Sequence, residues 1–364
     1  MAHQPRKARS NMPISRGDTS SERAGAMPSA PKKRITISDI ATMAGTSKTT
    51  VSFYLNGKTE RMSEDTQARI KAAIEATGYA PSPIARGMNA KKTQLIGVII
   101  GDITNTFSNQ IVKGIEDVAA KAGYRVLVSS SNHSRADERA YIDRLLAVGV
   151  DGFIVQPTAQ FKEISKVIEA AGKQLVFFDS KFYDFASNWV KTDNYESTFR
   201  AVTQCVEKGY RRFLLVAAPP QLLSSRIERT SGFVDALEAA EMGFTQFEIA
   251  NDSVDTDKLD AFLRANIDGT TPTLVFAPNC WALPDVYVGM REYYPEMPER
   301  VGLLGFDNAE WVGVASPSVS VVMQPAYEEG ARACNILLDL ISGEGNEDTH
   351  QVLDCAVQWG GTTL

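Results

Sequence analysis

Histidine and cysteine are scarce in this chain: its 364 residues include three of the first and four of the second. His3 lies in an N-terminal tail, and His133 and His350 stand in no pattern of neighbouring cysteines or carboxylates suited to a metal or a triad. Cys205, Cys280, Cys334 and Cys355 show no CxxC spacing and fit reduced thiols in the cytoplasm better than a disulfide framework. Ser224 and Ser225, in LLSSRIERTSGF, lack the context of a nucleophile elbow. No apolar run reaches transmembrane length, and the tail has no apolar h-region of a secretion signal. These gaps argue against enzymatic chemistry, against a metal or other cofactor, and against a membrane or exported protein. A cytoplasmic binding protein is the expectation they leave.

Charge is divided unequally along the chain. The whole carries −6, which taken alone argues against nucleic acid. Residues 1–92, however, hold 16 Lys and Arg against 7 Asp and Glu, a net +9, while the remaining 272 hold 22 against 37, a net −15. That asymmetry suits a DNA-binding end attached to an acidic body. Residues 1–34 are rich in Ser, Pro, Ala, Arg and Lys, with 8 basic and 2 acidic side chains. Such a composition buries too little apolar surface to offset ordering entropy, so a disordered basic tail is expected there.

The stretch TISDIATMAGTSKTTVSFYLN, residues 36–56, predicts two short helices around a glycine turn. Thr36 and Asp39 have capping-box spacing, and Ile40, Ala41 and Ala44 recur on one helical face. Gly45 permits the turn, Ser47 can cap the second helix, and Val51 and Leu55 point inward. Lys48, Thr49, Ser52 and Phe53 are left on the outer face. A third helix opens at Ser63 with Glu64 and Asp65 in its first turn, buries Ile70, Ala73 and Ile74, and stops at Gly78. Two amphipathic helices joined by glycine also occur in ordinary cores; position near the N-terminus, the basic tail and the third helix favour a helix-turn-helix that enters the major groove.

The pattern AxxxGxSxxTVSxxLN, then GYxPxxxAR and LIGVII, resembles the lactose-repressor (LacI/GalR) family of bacterial transcription regulators. The resemblance runs from about Thr36 to near the C-terminus. It implies an all-α helix-turn-helix headpiece at 35–81, a hinge helix at 82–92 and a bilobed α/β core of two parallel-sheet, periplasmic-binding-protein-like subdomains at 93–364, the chain crossing between them near 193 and 323. It implies DNA contacts from Thr36, Ser47, Lys48, Thr49, Thr50, Ser52, Phe53 and Asn56. In the hinge, SPIARGMNAKK, Ala85 matches the small residue where paired helices approach, and Met88 matches the apolar wedge between base steps. An ordinary linker is the competing reading of that segment; Gly87 weakens isolated helicity by roughly 1 kcal/mol, compatible with folding on DNA only.

From Thr93 onward, apolar runs separated by helical stretches predict buried parallel strands at 95–100, 126–128, 152–155, 175–178, 213–216, 274–276, 301–305 and 319–322. Ligands of such sheets bind beyond the carboxyl ends of the strands. By resemblance the effector pocket takes Asp102, Asn105, Phe107, Asp179, Arg229, Asn279 and Asp307, with Trp281 beside them. Three departures stand out. Phe53 occupies a position where the family usually has arginine, and phenylalanine cannot make the bidentate bond to guanine. Cys280 replaces the aspartate that normally follows Asn279. Lys181 sits two residues past Asp179.

A lost carboxylate with Lys181 and Arg229 near the cleft lowers the cost of holding an anion. The effector implied is an acidic sugar derivative such as a keto-sugar acid, and the sequence is similar to the ketogluconate and ketodeoxygluconate regulators of this family. The reading is therefore a homodimeric, sequence-specific repressor of sugar or sugar-acid catabolism genes, released by its effector, without the C-terminal leucine heptad of tetrameric relatives. Regulation by a protein partner, a corepressor requirement, or a cytosolic sugar-binding protein without gene control stay open as alternatives. Operator affinity read by fluorescence anisotropy should fall about a thousandfold or more between about 50 and about 200 mM salt, as phosphate contacts release counterions; a flat salt profile would contradict the charge argument.

Overall fold

Three of the six fully buried apolar side chains in the N-terminal unit are alanine: Ile40, Ala41, Ala44, Val51, Ile70 and Ala73. So small a core leans on its caps. In the computed structural model, which describes residues 35–79, 92–182, 186–306, 310–345 and 348–364, this unit has α1 (Ile37–Met43), α2 (Lys48–Leu55) and α3 (Glu64–Thr77). Thr36 and Asp39 form the complete capping box of α1, Ser47 accepts from the Thr50 amide at the start of α2, and Ser63 caps α3. Gly45 turns the chain between α1 and α2 at φ 59°. Residues 1–34 and the hinge, with Ala85 and Met88, lie outside the described residues.

The chain divides into two compact units, residues 1–82 and 83–364. The second contains two six-stranded sheets. In the first sheet the order is β11 (His350–Leu353), β5 (Asn188–Thr192), β4 (Gln174–Phe178), β3 (Gly152–Val155), β1 (Leu95–Ile100), β2 (Arg125–Ser130), all parallel. In the second it is β12 (Ala356–Gln358), β10 (Ser320–Met323), β9 (Val301–Phe306), β8 (Thr273–Ala277), β6 (Arg212–Ala217), β7 (Phe244–Glu248), with only β12 antiparallel. Central strands such as LIGVII and VGLLGF are buried on both faces because helices cover both sides of a parallel sheet. The first sheet is covered by α4 (Thr106–Lys121), α5 (Arg135–Val148), α6 (Lys162–Ala170) and α12 (Ala326–Ser342). The second carries α7 (Asn194–Glu207), α8 (Ser224–Ala239), α9 (Thr256–Asn266), α10 (Leu283–Gly289) and the short α11 (Trp311–Val314). The chain passes between lobes after β5, after β10 and again between β11 and β12, so the two lobes share three crossing strands of backbone.

Seven of the eight apolar runs named from the sequence lie wholly on strands, and the eighth, 319–322, overlaps β10, which begins at Ser320. Four strands were not anticipated: β5 (NWVKT), β7 (FTQFE), β11 (HQVL) and β12 (AVQ). Three of these are sheet edges, and all are short with at most two adjacent apolar residues, so no apolar run announces them.

One buried acid in the first lobe makes stability depend on pH. Glu138 on α5 is 0% exposed and accepts from the Thr158 amide (3.1 Å) and hydroxyl (2.9 Å). Burial pushes its carboxyl up from 4.5 to about 7, against the pull of those two bonds. The folded chain therefore holds a proton that the unfolded chain has released, and stability falls as pH rises from about 4.5 to about 7. Glu138→Gln should remove a slope on the order of 2 kcal/mol, read from urea midpoints at about pH 5 and about pH 7.5; an unchanged slope would assign the titration elsewhere.

Candidate functional site

The headpiece presents the outer side of α2. Ser47, Lys48 and Thr49 are exposed; Thr50, Ser52 and Phe53 are half-buried; Asn56 is exposed at the helix end. Several of these groups already have local work. The Thr36 hydroxyl bonds Asp39, Ser47 and Thr50 share a hydroxyl–hydroxyl bond at 2.8 Å, and Asn56 donates to the Ser52 carbonyl at 2.8 Å. Lys48 and Thr49 are left as the freest groups of the first turn. Phe53 stays at the surface with the Arg61 guanidinium over its ring at 5.1 Å, so a cation stands beside the position where arginine was expected.

In the second unit, residues from strand ends of both lobes meet around one pocket of about 40 Å³. From the first lobe come Asp102 after β1, Asn105 and Phe107 at the start of α4, His133 after β2, Gln156 after β3 and Asp179 after β4. The second lobe adds Ser225, Arg226 and Arg229 from α8, Asn279, Cys280 and Trp281 after β8, and Gln324 after β10. The lobes are stitched directly. Ser225 Oγ donates to Asp179 at 3.0 Å, Asn105 Nδ2 donates to Cys280 Sγ at 3.2 Å, and the Lys181 amide donates to Ser224 Oγ at 2.9 Å. A buried Lys191–Glu228 ion pair at 2.7 Å joins β5 to α8.

Asp179 is the focus of the first-lobe wall. It is a non-glycine residue at φ 62°, and the Ser180 amide bonds back to the Phe178 carbonyl at 2.7 Å. That is a γ-turn with positive φ at its apex, a strained form costing on the order of 1–3 kcal/mol and kept only where the surroundings enforce it. The turn aims a buried carboxylate into the pocket, where Gln156 Nε2 donates to it at 2.8 Å. Gln156 is placed in turn by the Gly101 amide, which donates to its Oε1 at 2.9 Å.

The two arginines differ. Arg229 gives Nε to Asn194 (2.7 Å), Nη1 to the Pro278 carbonyl (2.8 Å) and Nη2 to Gln324 (2.8 Å), lies 4.0 Å over the Phe306 ring and faces Asp179 at 3.9 Å. It is a clamp whose valence is largely used. Arg226 is equally buried at 6% exposure, but its hydrogen bonds among the described residues go to neutral oxygens, Asn251 Oδ1 at 2.6 Å and the Pro219 carbonyl at 3.4 Å. No carboxylate among those residues pairs with it. Burial first, and then the Arg229 charge, lower its pKa. Burial also pushes His133 down, so that a neutral imidazole lines the pocket.

Asp102, Asn105, Phe107, Asp179, Arg229, Asn279 and Trp281 are thus brought together as anticipated in space. Asn279 spends its carbonyl on the Ala218 amide (2.9 Å), and Asp102 accepts from the Thr104 amide at 2.8 Å. Lys181 does not join them. The γ-turn redirects the chain after Asp179, and the Lys181 ammonium lies 4.9 Å over the Trp189 ring, in a separate cavity of about 230 Å³. Asp307 lies outside the described residues. The sequence reading missed His133, Gln156, Ser225, Arg226 and Gln324. Gln156 and Gln324 follow apolar runs just as Asp102 and Asp179 do, and Arg226 sits one helical turn before Arg229, so the signal was present. Among the described residues no cluster of three or more His, Cys, Asp or Glu could hold a metal ion.

A helix-turn-helix unit, and a bilobed core with a polar pocket between strand ends, define a ligand-responsive DNA-binding regulator. Comparison with known proteins agrees. Residues 36–82 match the model of bacterial regulatory proteins of the lacI family, 93–280 that of the periplasmic binding proteins and sugar binding domain of the LacI family, and 202–363 a periplasmic binding protein-like domain. The chain belongs to the LacI family of bacterial transcriptional regulators. It is 30% identical to the HTH-type transcriptional regulator KdgR of Bacillus subtilis (strain 168), over 85% of this chain and 92% of that one. The crystal structure of the lac repressor dimer bound to operator and the anti-inducer ONPF superposes with a TM-score of 0.75 at 23% identity, covering 91% of this chain and 100% of that one. A transcriptional regulator CelR–cellobiose complex superposes at 0.64 with 22% identity, over 90% and 100%.

Gly101 gives a direct test of how the pocket is built. A Cβ there would fall 2.1 Å from His133 Cε1 and 2.8 Å from Gln156 Oε1. Gly101→Ala should lower stability by about 1–3 kcal/mol in urea titrations, the usual cost of overpacking; a change below about 0.5 kcal/mol would mean that the wall yields freely.

Proposed function

We propose that this regulator is a homodimeric repressor whose operator affinity is lowered by a sugar acid held between the core lobes. The observation that carries this is Arg226, a buried guanidinium whose hydrogen bonds among the described residues go to neutral oxygens, set in the first turn of a sixteen-residue helix whose N-cap residue, Leu223, supplies no side-chain acceptor. A helix N-terminus favours an anion, and a carboxylate there would supply the charge that Arg226 lacks. Asp179, Gln156, Asn279, His133 and Asp102 offer the acceptors and donors suited to ring or chain hydroxyls, with Phe107 and Trp281 as apolar walls. Arg229 anchors the second-lobe side. The anion argument thus rests on Arg226, where the sequence pointed to Lys181 and Arg229.

The pocket's 40 Å³ holds only a few water molecules, so a sugar acid enters by parting the lobes. Doing so exchanges the Ser225–Asp179 and Asn105–Cys280 bonds for ligand contacts and sets a new lobe spacing. That is a ligand with different affinities for two states, the requirement for switching DNA affinity. On the DNA side, Lys48, Thr49, Ser52 and Phe53 would face the major groove of each half-site, the two-fold dimer matching a palindromic operator. The lac repressor dimer on its operator supports the assembly by analogy, and the cellobiose complex supports a sugar-type ligand without bearing on its charge.

Calorimetric titration with matched neutral sugars and sugar acids tests the reading. A sugar acid should bind and its neutral counterpart should not. Arg226→Gln should weaken the acid by about 10- to 100-fold, the worth of a charged hydrogen bond, with operator binding in its absence unchanged. Tight binding of a neutral hexose with no response to acids would end the proposal.

A further inference from the structure

We propose that Glu329 is the positioning residue of the effector site: its carboxyl, packed behind β4, holds Asp179 in the turn that aims the Asp179 carboxylate at the ligand. The inference rests on the pocket reading above and names a residue 150 positions away from the group it governs. Glu329 lies in the first turn of α12 and is 0% exposed. Its Oε1 accepts from the Asp179 amide at 2.6 Å, shorter than the 3.1 Å bond from the same N–H to the Val190 carbonyl. Asp179 is the apex of the positive-φ turn, so the bond falls on a peptide whose conformation the backbone resists.

The charge state fits the role. Asp179, Arg229 and Lys191 are the charged groups that act on Glu329, and burial, then the Asp179 charge, hold its carboxyl well above the usual carboxylate range. A carboxyl held toward its neutral form accepts the Asp179 amide while adding less negative charge behind a pocket proposed for an anion. Its other oxygen, Oε2, is buried with no partner among the described residues. A side chain serving only to fill space would avoid that cost, since an apolar residue of similar size would pack there without an orphaned oxygen. Retaining the acid makes sense if the Asp179 amide needs an acceptor in this place.

The test compares Glu329→Gln, which keeps a neutral acceptor, with Glu329→Leu, which keeps the volume and removes it. With a sugar acid that binds the wild-type protein, Gln should stay within about threefold of the wild-type affinity. Leu should lose at least about thirtyfold, while both keep cooperative melting and effector-free operator binding. A Leu variant that binds the acid like wild type, or a Gln variant as weak as Leu, would overturn the proposal. If Leu does not fold, Glu329→Asp, which withdraws the acceptor by one methylene, takes its place under the same criteria. Should no sugar acid bind the wild-type protein, the effector reading falls by itself, and a crystal structure of the Leu or Asp variant decides the positioning claim. Asp179 leaving the positive-φ region supports it; Asp179 unmoved contradicts it.

Discussion

A guanidinium removed from water and, among the described residues, hydrogen-bonded to neutral oxygens alone is the constraint around which the core is organised. Desolvating a charge is costly unless something of opposite sign or a dense set of dipoles replaces the water. Arg229 meets that requirement with three neutral acceptors, an aromatic face and Asp179 at 3.9 Å across the cleft. Arg226, one turn earlier on the same helix, meets it poorly, and the like charge of Arg229 adds to its burden. A fold that tolerates this has a reason to admit an anion, because the ligand then relieves an existing cost instead of merely adding contacts. The same logic explains why burial holds the carboxyl of Glu329, behind Asp179, well above the usual carboxylate range.

The remaining architecture makes that charge responsive. Each lobe is a parallel sheet whose strand ends deliver short polar loops to the cleft, and the two sheets share crossing backbone near 193, 324 and 354. Across the cleft the contacts among the described residues are directional: a serine on an aspartate, an asparagine on a thiol, an amide on a serine, the Ala159 amide on the Leu222 carbonyl, and two buried ion pairs, Lys191–Glu228 and Arg229–Asp179. In the reading proposed above, a ligand that offers better partners takes the place of these bonds. A large apolar interface would instead fix one spacing. The strained turn at Asp179 sits on this seam, so small shifts of β4 or α12 change the aim of its carboxylate.

Much of this was legible in the residues themselves. The capping residues Thr36, Ser47 and Ser63 marked the headpiece helices because capping chemistry is local. The runs LIGVII, LVFF and VGLLG marked central strands because both faces of a parallel sheet are apolar, and Asp102 and Asp179 followed as strand-end groups. What escaped was whatever depends on distant packing. The inner strand NWVKT and the edge FTQFE carry too few apolar residues to announce themselves. Arg226 looked like any helical arginine until its burial was seen. Lys181 was misplaced because nothing in DSKF shows that the chain turns back at Asp179. Glu329 gave no sign, since its partner lies on another element 150 residues earlier.

The most direct measurement is a crystal structure of the core with a sugar acid bound. The account requires the ligand carboxylate within about 3 Å of an Arg226 guanidinium nitrogen, as a charge-assisted hydrogen bond demands, with the Ser225–Asp179 bond broken and the lobes further apart. A ligand whose carboxylate faces solvent or lies against Lys181, with Arg226 still holding only Asn251 and Pro219, would contradict it.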